Sequence, residues 1–343
     1  MFSNLNKLSI IGLILVLLIS DAKTIHSGLF SFALWGDLPY AKNNDGHKTD
    51  DKINRLLASM NSAELAFTVF DGDIKDGSSL CTDNELGESS IALFNRVKAP
   101  TVYVLGDNEW TDCHRISNGG FNSLERLTYL RKIMFANDDS FGSNKMRLHR
   151  QGLLGGMYSE NTRWDYGNIV FVGLNIPGSN NNKVTDQECI NIKSVRTQSD
   201  CETDNAEYIA RNAANIEFLH ESFQRAKDQK AIGLVVIIQA DLGFDLPETE
   251  AINESNQPDF DGYQTFKQAL VAETSDFNGQ VLLAHGDTHY YKVDKPLIDQ
   301  AHLLKNFTRV ETFGSPNLHW VKVTVDRSNP NVFVFEPVIV AGN

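Results

Sequence analysis

The chain has 343 residues, and 44 acidic against 31 basic side chains give it a formal charge of −13. That balance argues against nucleic acid or an anionic membrane as a surface partner, because either needs a basic face. It leaves a small phosphorylated substrate open, since a bound cation inverts the field around a site. In chain order the first element is a leader. Lys7 precedes an apolar run over 8–19, broken by Ser9 and Gly12, and Ser20-Asp21-Ala22 offers small residues where an export peptidase cleaves. The run is shorter than the roughly 20 apolar residues of a membrane span. A signal peptide over 1–22 is therefore expected. It leaves 23–343 as a single exported domain, periplasmic or secreted, with no membrane contact after cleavage and an oligomeric state the sequence does not give.

Runs rich in Val, Ile, Leu and Phe at 29–35, 65–70, 101–105, 169–174, 234–238 and 281–284 read as buried strands. Between them, 52–60 places Ile53, Leu56, Leu57 and Met60 on one helical stripe. Residues 216–223 do the same with Ile216, Leu219 and Phe223, and 124–134 is a further helix candidate. Alternating strands and helices predict an α/β protein. The runs at 310–313, 318–325 and 332–338 have no helices between them, which predicts a closing set of antiparallel strands. The expected fold class is α/β, with two facing mixed sheets flanked by helices.

The cysteines are Cys81, Cys113, Cys189 and Cys201. An even count in an exported chain reads as two disulfides, with three connectivities possible. The expected pairing is Cys189–Cys201, closing a polar loop, and Cys81–Cys113, joining two segments near the candidate site. No CxxC pair exists, which argues against a cysteine-rich zinc site.

The chemistry is carried by Gly-Asp dipeptides. Each one follows an apolar run: Gly36-Asp37, Gly72-Asp73, Gly106-Asp107 and Gly286-Asp287. Glycine at a strand exit permits backbone angles and close approaches that a side chain forbids. Ligands of open α/β sheets bind beyond the carboxyl ends of the strands. Several aspartates delivered there repel one another unless a cation neutralises them, and carboxylate oxygens suit a hard divalent ion. A lone Gly-Asp is an ordinary turn; four at strand ends are more than that.

The flanking residues extend these turns to Gly72-Asp73-Ile74-Lys75-Asp76, Gly106-Asp107-Asn108-Glu109 and His285-Gly286-Asp287-Thr288-His289. In this order they resemble the calcineurin-like metallophosphoesterase superfamily, as a divergent member, from Leu29 to about Tyr291. The resemblance implies a two-sheet sandwich and hydrolysis of phosphate mono- or diesters at two divalent ions, with a hydroxide between them as nucleophile. Asp73 would bridge the ions, and Asp37 and His289 would hold the first. Asp107 and Asp287 would hold the second, with Gln239 or Asp241 where the family has a histidine after a strand.

Departures from the family pattern refine the expectation. Asp37-Leu38-Pro39-Tyr40 lacks the histidine of the first motif, and Tyr40 is a conceivable phenolate ligand. Oxygen donors replace nitrogen donors at several positions, which favours Mg²⁺, Mn²⁺ or Ca²⁺ over zinc or iron. The position of the family's proton-supplying histidine is Asn108, which donates a hydrogen bond but is no general acid. His285 is the candidate substitute, with His114 behind it. Trp110 and Tyr290 read as packing residues, and His47, His149, His220, His302 and His319 as surface or core. The alternative is a degenerate phosphoesterase fold used for binding. A serine hydrolase is not supported, as no Gly-x-Ser-x-Gly elbow is present.

Overall fold

The computed structural model describes residues 29–40, 48, 50–244, 257–296 and 304–343. The expected signal peptide, His47 and His302 lie outside the described residues.

The apolar runs fold into two sheets because most are buried on both faces. In the first sheet β1 (Leu29–Trp35), β2 (Thr68–Phe70) and β3 (Thr101–Tyr103) run parallel. β11 (Trp320–Asp326) adds to β1 antiparallel, and β12 (Phe333–Val338) adds to β11. The second sheet has the order β4-β5-β6-β7-β8-β10-β9. Its strands are β4 (His149–Arg150), β5 (Thr162–Tyr166), β6 (Ile169–Gly173), β7 (Gly233–Ile237), β8 (Gln280–His285), β9 (Lys292–Asp294) and β10 (Phe307–Glu311).

Alternation along each strand builds three apolar layers. Phe32 and Leu34 of β1 face Phe171, Val235, Ile237 and Leu282 of the other sheet across the central core. Ala33 and Trp35 point the other way, onto α1 (Asp51–Ser62) and α2 (Ser123–Met134). Val170, Val236 and Leu283 point outward onto α3 (Gln198–Gln229) and α4 (Gln264–Ser275). Burying each such side chain stabilises the sandwich by about 1.5–3 kcal/mol. The result is the expected pair of facing mixed sheets with helices outside.

One expectation needs correction. The run at 310–313 does not join the closing antiparallel set. β10 bonds in parallel to β8 in the second sheet, while β11 and β12 complete the first. The reason is burial: Val310 faces the central core and Phe307 the outer layer, as in an interior parallel strand. Both disulfides form as expected, Cys81–Cys113 and Cys189–Cys201. Among the described residues no helix is long and apolar enough to cross a membrane.

Candidate metal centre

The loops leaving β1, β2, β3, β7 and β8 meet at one edge of the sandwich. The Asp37 N–H donates to the Gly72 carbonyl at 2.8 Å, and the Gly286 N–H to the Gln239 carbonyl at 3.1 Å. The glycines act mainly through close approach. A Cβ on Gly106 would lie 2.1 Å from Asp73 Oδ1, and one on Gly286 would lie 1.9 Å from Asp37 Oδ2. The left-handed residue of these turns is more often the aspartate: Asp37, Asp73 and Asp287 have φ of 50°, 60° and 80°. Aspartate tolerates that region better than most residues.

Asp73 lies at the focus. Its Oδ2 accepts from the Tyr40 hydroxyl at 2.8 Å and the Asn108 amide at 2.5 Å, and its Oδ1 from the Asn108 N–H at 3.1 Å. Asp37 accepts from the Asp287 N–H at 3.2 Å and lies 3.4 Å from His289 Nε2. The His289 ring is oriented from behind, with Nδ1 2.7 Å from the Ser315 carbonyl. Asp287 accepts from the Asp241 N–H at 3.0 Å and from Gln239 Nε2 at 3.2 Å. Gln239 Oε1 is engaged by the Gly178 N–H at 2.5 Å. Asp107 Oδ2 accepts from the Ser179 hydroxyl at 2.7 Å.

This crowding has an electrostatic cost. Burial, then the Asp107 charge, holds the Asp73 and Asp287 carboxyls well above the usual carboxylate range. Burial raises Asp37 as well, against the pull of His289. Burial and Asp107 push Asp112 up to about 7 despite the Arg115 guanidinium. Burial works against a charged His289, but the Asp37 carboxylate outweighs it and lifts the imidazole to about 9. Burial, then Asp73, drives Tyr40 well above its ordinary value, and its hydroxyl donates to Asp73.

Among the described residues no three His, Cys, Asp or Glu side chains already converge as a finished coordination shell. The donor chemistry nevertheless fits a hard divalent cation. Carboxylate oxygens sit buried and mutually repelling, which is the charge deficit such an ion relieves.

The other candidates fall elsewhere. His285 is fully buried, with Nδ1 2.9 Å from the Gly286 carbonyl and Nε2 without a hydrogen-bond partner. His114 bonds Ser194 at 2.8 Å, and burial, then Arg196 and Arg115, push its value down to about 3. Trp110 packs in the core, and Tyr290 is exposed. Sequence reasoning missed Asp71, Asp112 and Ser179. Asp71 is buried beside Asp37, and burial, then the Asp37 charge, raises its carboxyl well above the usual range. It was readable as the first residue of Asp71-Gly72-Asp73. Ser179 had no signal beyond its neighbours Asn180, Asn181 and Asn182. A cavity of about 580 Å³ opens beside the centre, lined by Asp112, His114, Arg115, Ser179, Phe260 and Asp287 among others.

No protein-family profile and no curated protein matches this chain. Solved structures similar to it include that of PhoD, with a TM-score of 0.48 and 10% identity over 90% of this chain and 68% of that one. The sulfate thiohydrolase SoxB of Termus thermophilus, in complex with glycerol, gives 0.42 and 14% over 83% of this chain and 42% of that one. The 5'-nucleotidase of Candida albicans SC5314 gives 0.40 and 11% over 90% and 50%. The chain thus spans half or less of the latter two. Two facing mixed sheets, flanked by helices and carrying Gly-Asp turns at one edge, give this chain the α/β sandwich expected from its sequence.

Proposed function

We propose that this chain is an exported, metal-dependent hydrolase of phosphate mono- or diesters, a divergent calcineurin-like metallophosphoesterase. The observation that carries this reading is the meeting of Asp37, Asp73, Asp107 and Asp287 at one sheet edge, where burial and mutual charge hold Asp73 and Asp287 well above the carboxylate range. Asp37, Asp73, Asp107, Asp287 and His289 would hold divalent ions, Mg²⁺, Mn²⁺ or Ca²⁺ by donor type. Such ions supply polarisation of a phosphoryl oxygen and activation of the attacking water.

The chain's own part is to bind and orient. Asn108 and Tyr40 fix both oxygens of Asp73. The cavity of about 580 Å³ accepts the leaving group of a small ester. His285, enclosed behind its turn, takes no part in proton transfer in this reading. Asp112 and His114 line the cavity instead. Export is supported by the leader motif and by two disulfides.

Hydrolysis of an aryl phosphate with Mn²⁺, in wild type and Asp73→Ala, tests the reading. Turnover in the wild type that drops at least 100-fold in the variant is expected, on the order of losing one essential electrostatic group. Equal, negligible rates in both would favour the binding protein, a reading motivated by the missing histidine ligands and the unfinished shell.

A further inference from the structure

The triple-asparagine stretch has a place at this centre. Ser179, Asn180, Asn181 and Asn182 all have positive φ, at 50°, 54°, 59° and 60°. Four successive left-handed residues persist only where the surroundings over-determine them. Here Arg211, fully buried on α3, does so. Its Nη1 donates to the Asn175 carbonyl at 2.8 Å and to Asn181 Oδ1 at 2.6 Å, and its Nη2 to the Asn181 carbonyl at 2.8 Å. From α4's side, the Asn181 N–H donates to the Tyr263 hydroxyl at 3.2 Å, and the Gly262 N–H to Asn180 Oδ1 at 2.8 Å.

The leading end of the turn reaches the carboxylates. The Ser179 hydroxyl lies 2.7 Å from Asp107 Oδ2 and 2.8 Å from Asp112 Oδ1, so it sits between the two carboxyl groups and its single proton can go to one of them. Gly178 is wedged among them; a Cβ there would lie 2.8 Å from both Asp107 Oδ2 and Asp287 Oδ1. Its N–H also engages Gln239, which in turn faces Asp287. Strained backbone, a buried clamp and direct contact with two candidate ligands coincide in five residues.

We propose that the turn 178–182 is an arm of the cation centre, in which Ser179 positions Asp107 for the ion and Arg211 fixes Ser179. This rests on the metal-dependent reading above. Residues that orient a metal ligand typically change affinity 10- to 100-fold when removed.

Titration calorimetry with Mn²⁺ alone, on metal-free wild type and Ser179→Gly, tests the arm. Glycine adopts a φ of +50° freely, so the variant keeps the turn and loses the hydroxyl. The expected result is Mn²⁺ binding about 10- to 100-fold weaker, with the melting temperature of the metal-free variant unchanged or higher. Weaker binding accompanied by a clear fall in that melting temperature would overturn the proposal, because the hydroxyl would then serve only the fold. Binding by wild type with equal affinity in Ser179→Gly would overturn the arm alone. A wild type that takes up no Mn²⁺ would overturn the metal reading and the arm with it.

Discussion

Asp112 shows how much of the centre's behaviour sits in single residues. Its carboxyl is raised from 3.8 to about 7, by burial first and by Asp107 second. A group whose folded value is raised contributes stability that is full below its unfolded value and lost as pH rises through the folded one. The metal-free protein is therefore expected to lose stability as pH climbs from about 4 to beyond the folded value of about 7. Asp73 and Asp287, raised for the same reasons, act in the same direction. Asp112→Asn should flatten part of that slope. Melting temperatures of the metal-free pair across this interval check it, and parallel slopes would contradict the assignment. At this scale the sequence was readable wherever a motif repeated. Asp37, Asp73, Asp107 and Asp287 each follow a glycine at a strand end, and the structure brings their turns together. Asp112 and Ser179 carry no such mark. They reach the centre only because a short helical turn after Asn108 and the left-handed turn after Pro177 fold back over it.

Among the elements, the disulfide-closed segment beside the cavity carries the clearest expectation. Cys189 and Cys201 are 12 residues apart and close a loop that includes Lys193 and Ser194 of the cavity wall. Closing a loop of that size stabilises by about 3 kcal/mol through the unfolded chain. Replacing both cysteines by serine should lower the unfolding free energy by roughly 2–3 kcal/mol, measurable by urea denaturation. It should also raise KM more than it lowers kcat, because the cavity wall loosens while the centre stays. Unchanged stability and KM would count against this. β6, β7 and β8 were legible because both of their faces are buried, and β1 coincides with its apolar run at both ends. α3 was legible only in its second half. Its first half, from the Thr197 capping box onward, is too polar for a stripe to show, and its inward face there is Cys201, Asp204, Arg211 and Asn212. β10 was misplaced because an apolar run does not reveal which sheet will claim it.

For the whole molecule, the sandwich explains why a chain with a charge of −13 concentrates carboxylates at one edge instead of avoiding it. Parallel strands from two sheets end at that edge, and interlocked Gly-Asp turns leave little room for the aspartates to separate. The layered core was foreseeable from strand alternation. The meeting of loops from both sheets followed from the family resemblance of the motifs and not from strand patterning, because it depends on how the sheets face each other. The central claim is that this arrangement holds more buried carboxylate than His289 can neutralise and takes the remaining positive charge from divalent cations. Its most direct measurement is a Mn²⁺ titration of the metal-free protein in weakly buffered solution near pH 7, following bound metal and released protons together. The account expects one or two ions per chain with protons released on binding, since the raised carboxyls must ionise to ligate. The absence of both metal uptake and proton release would contradict it.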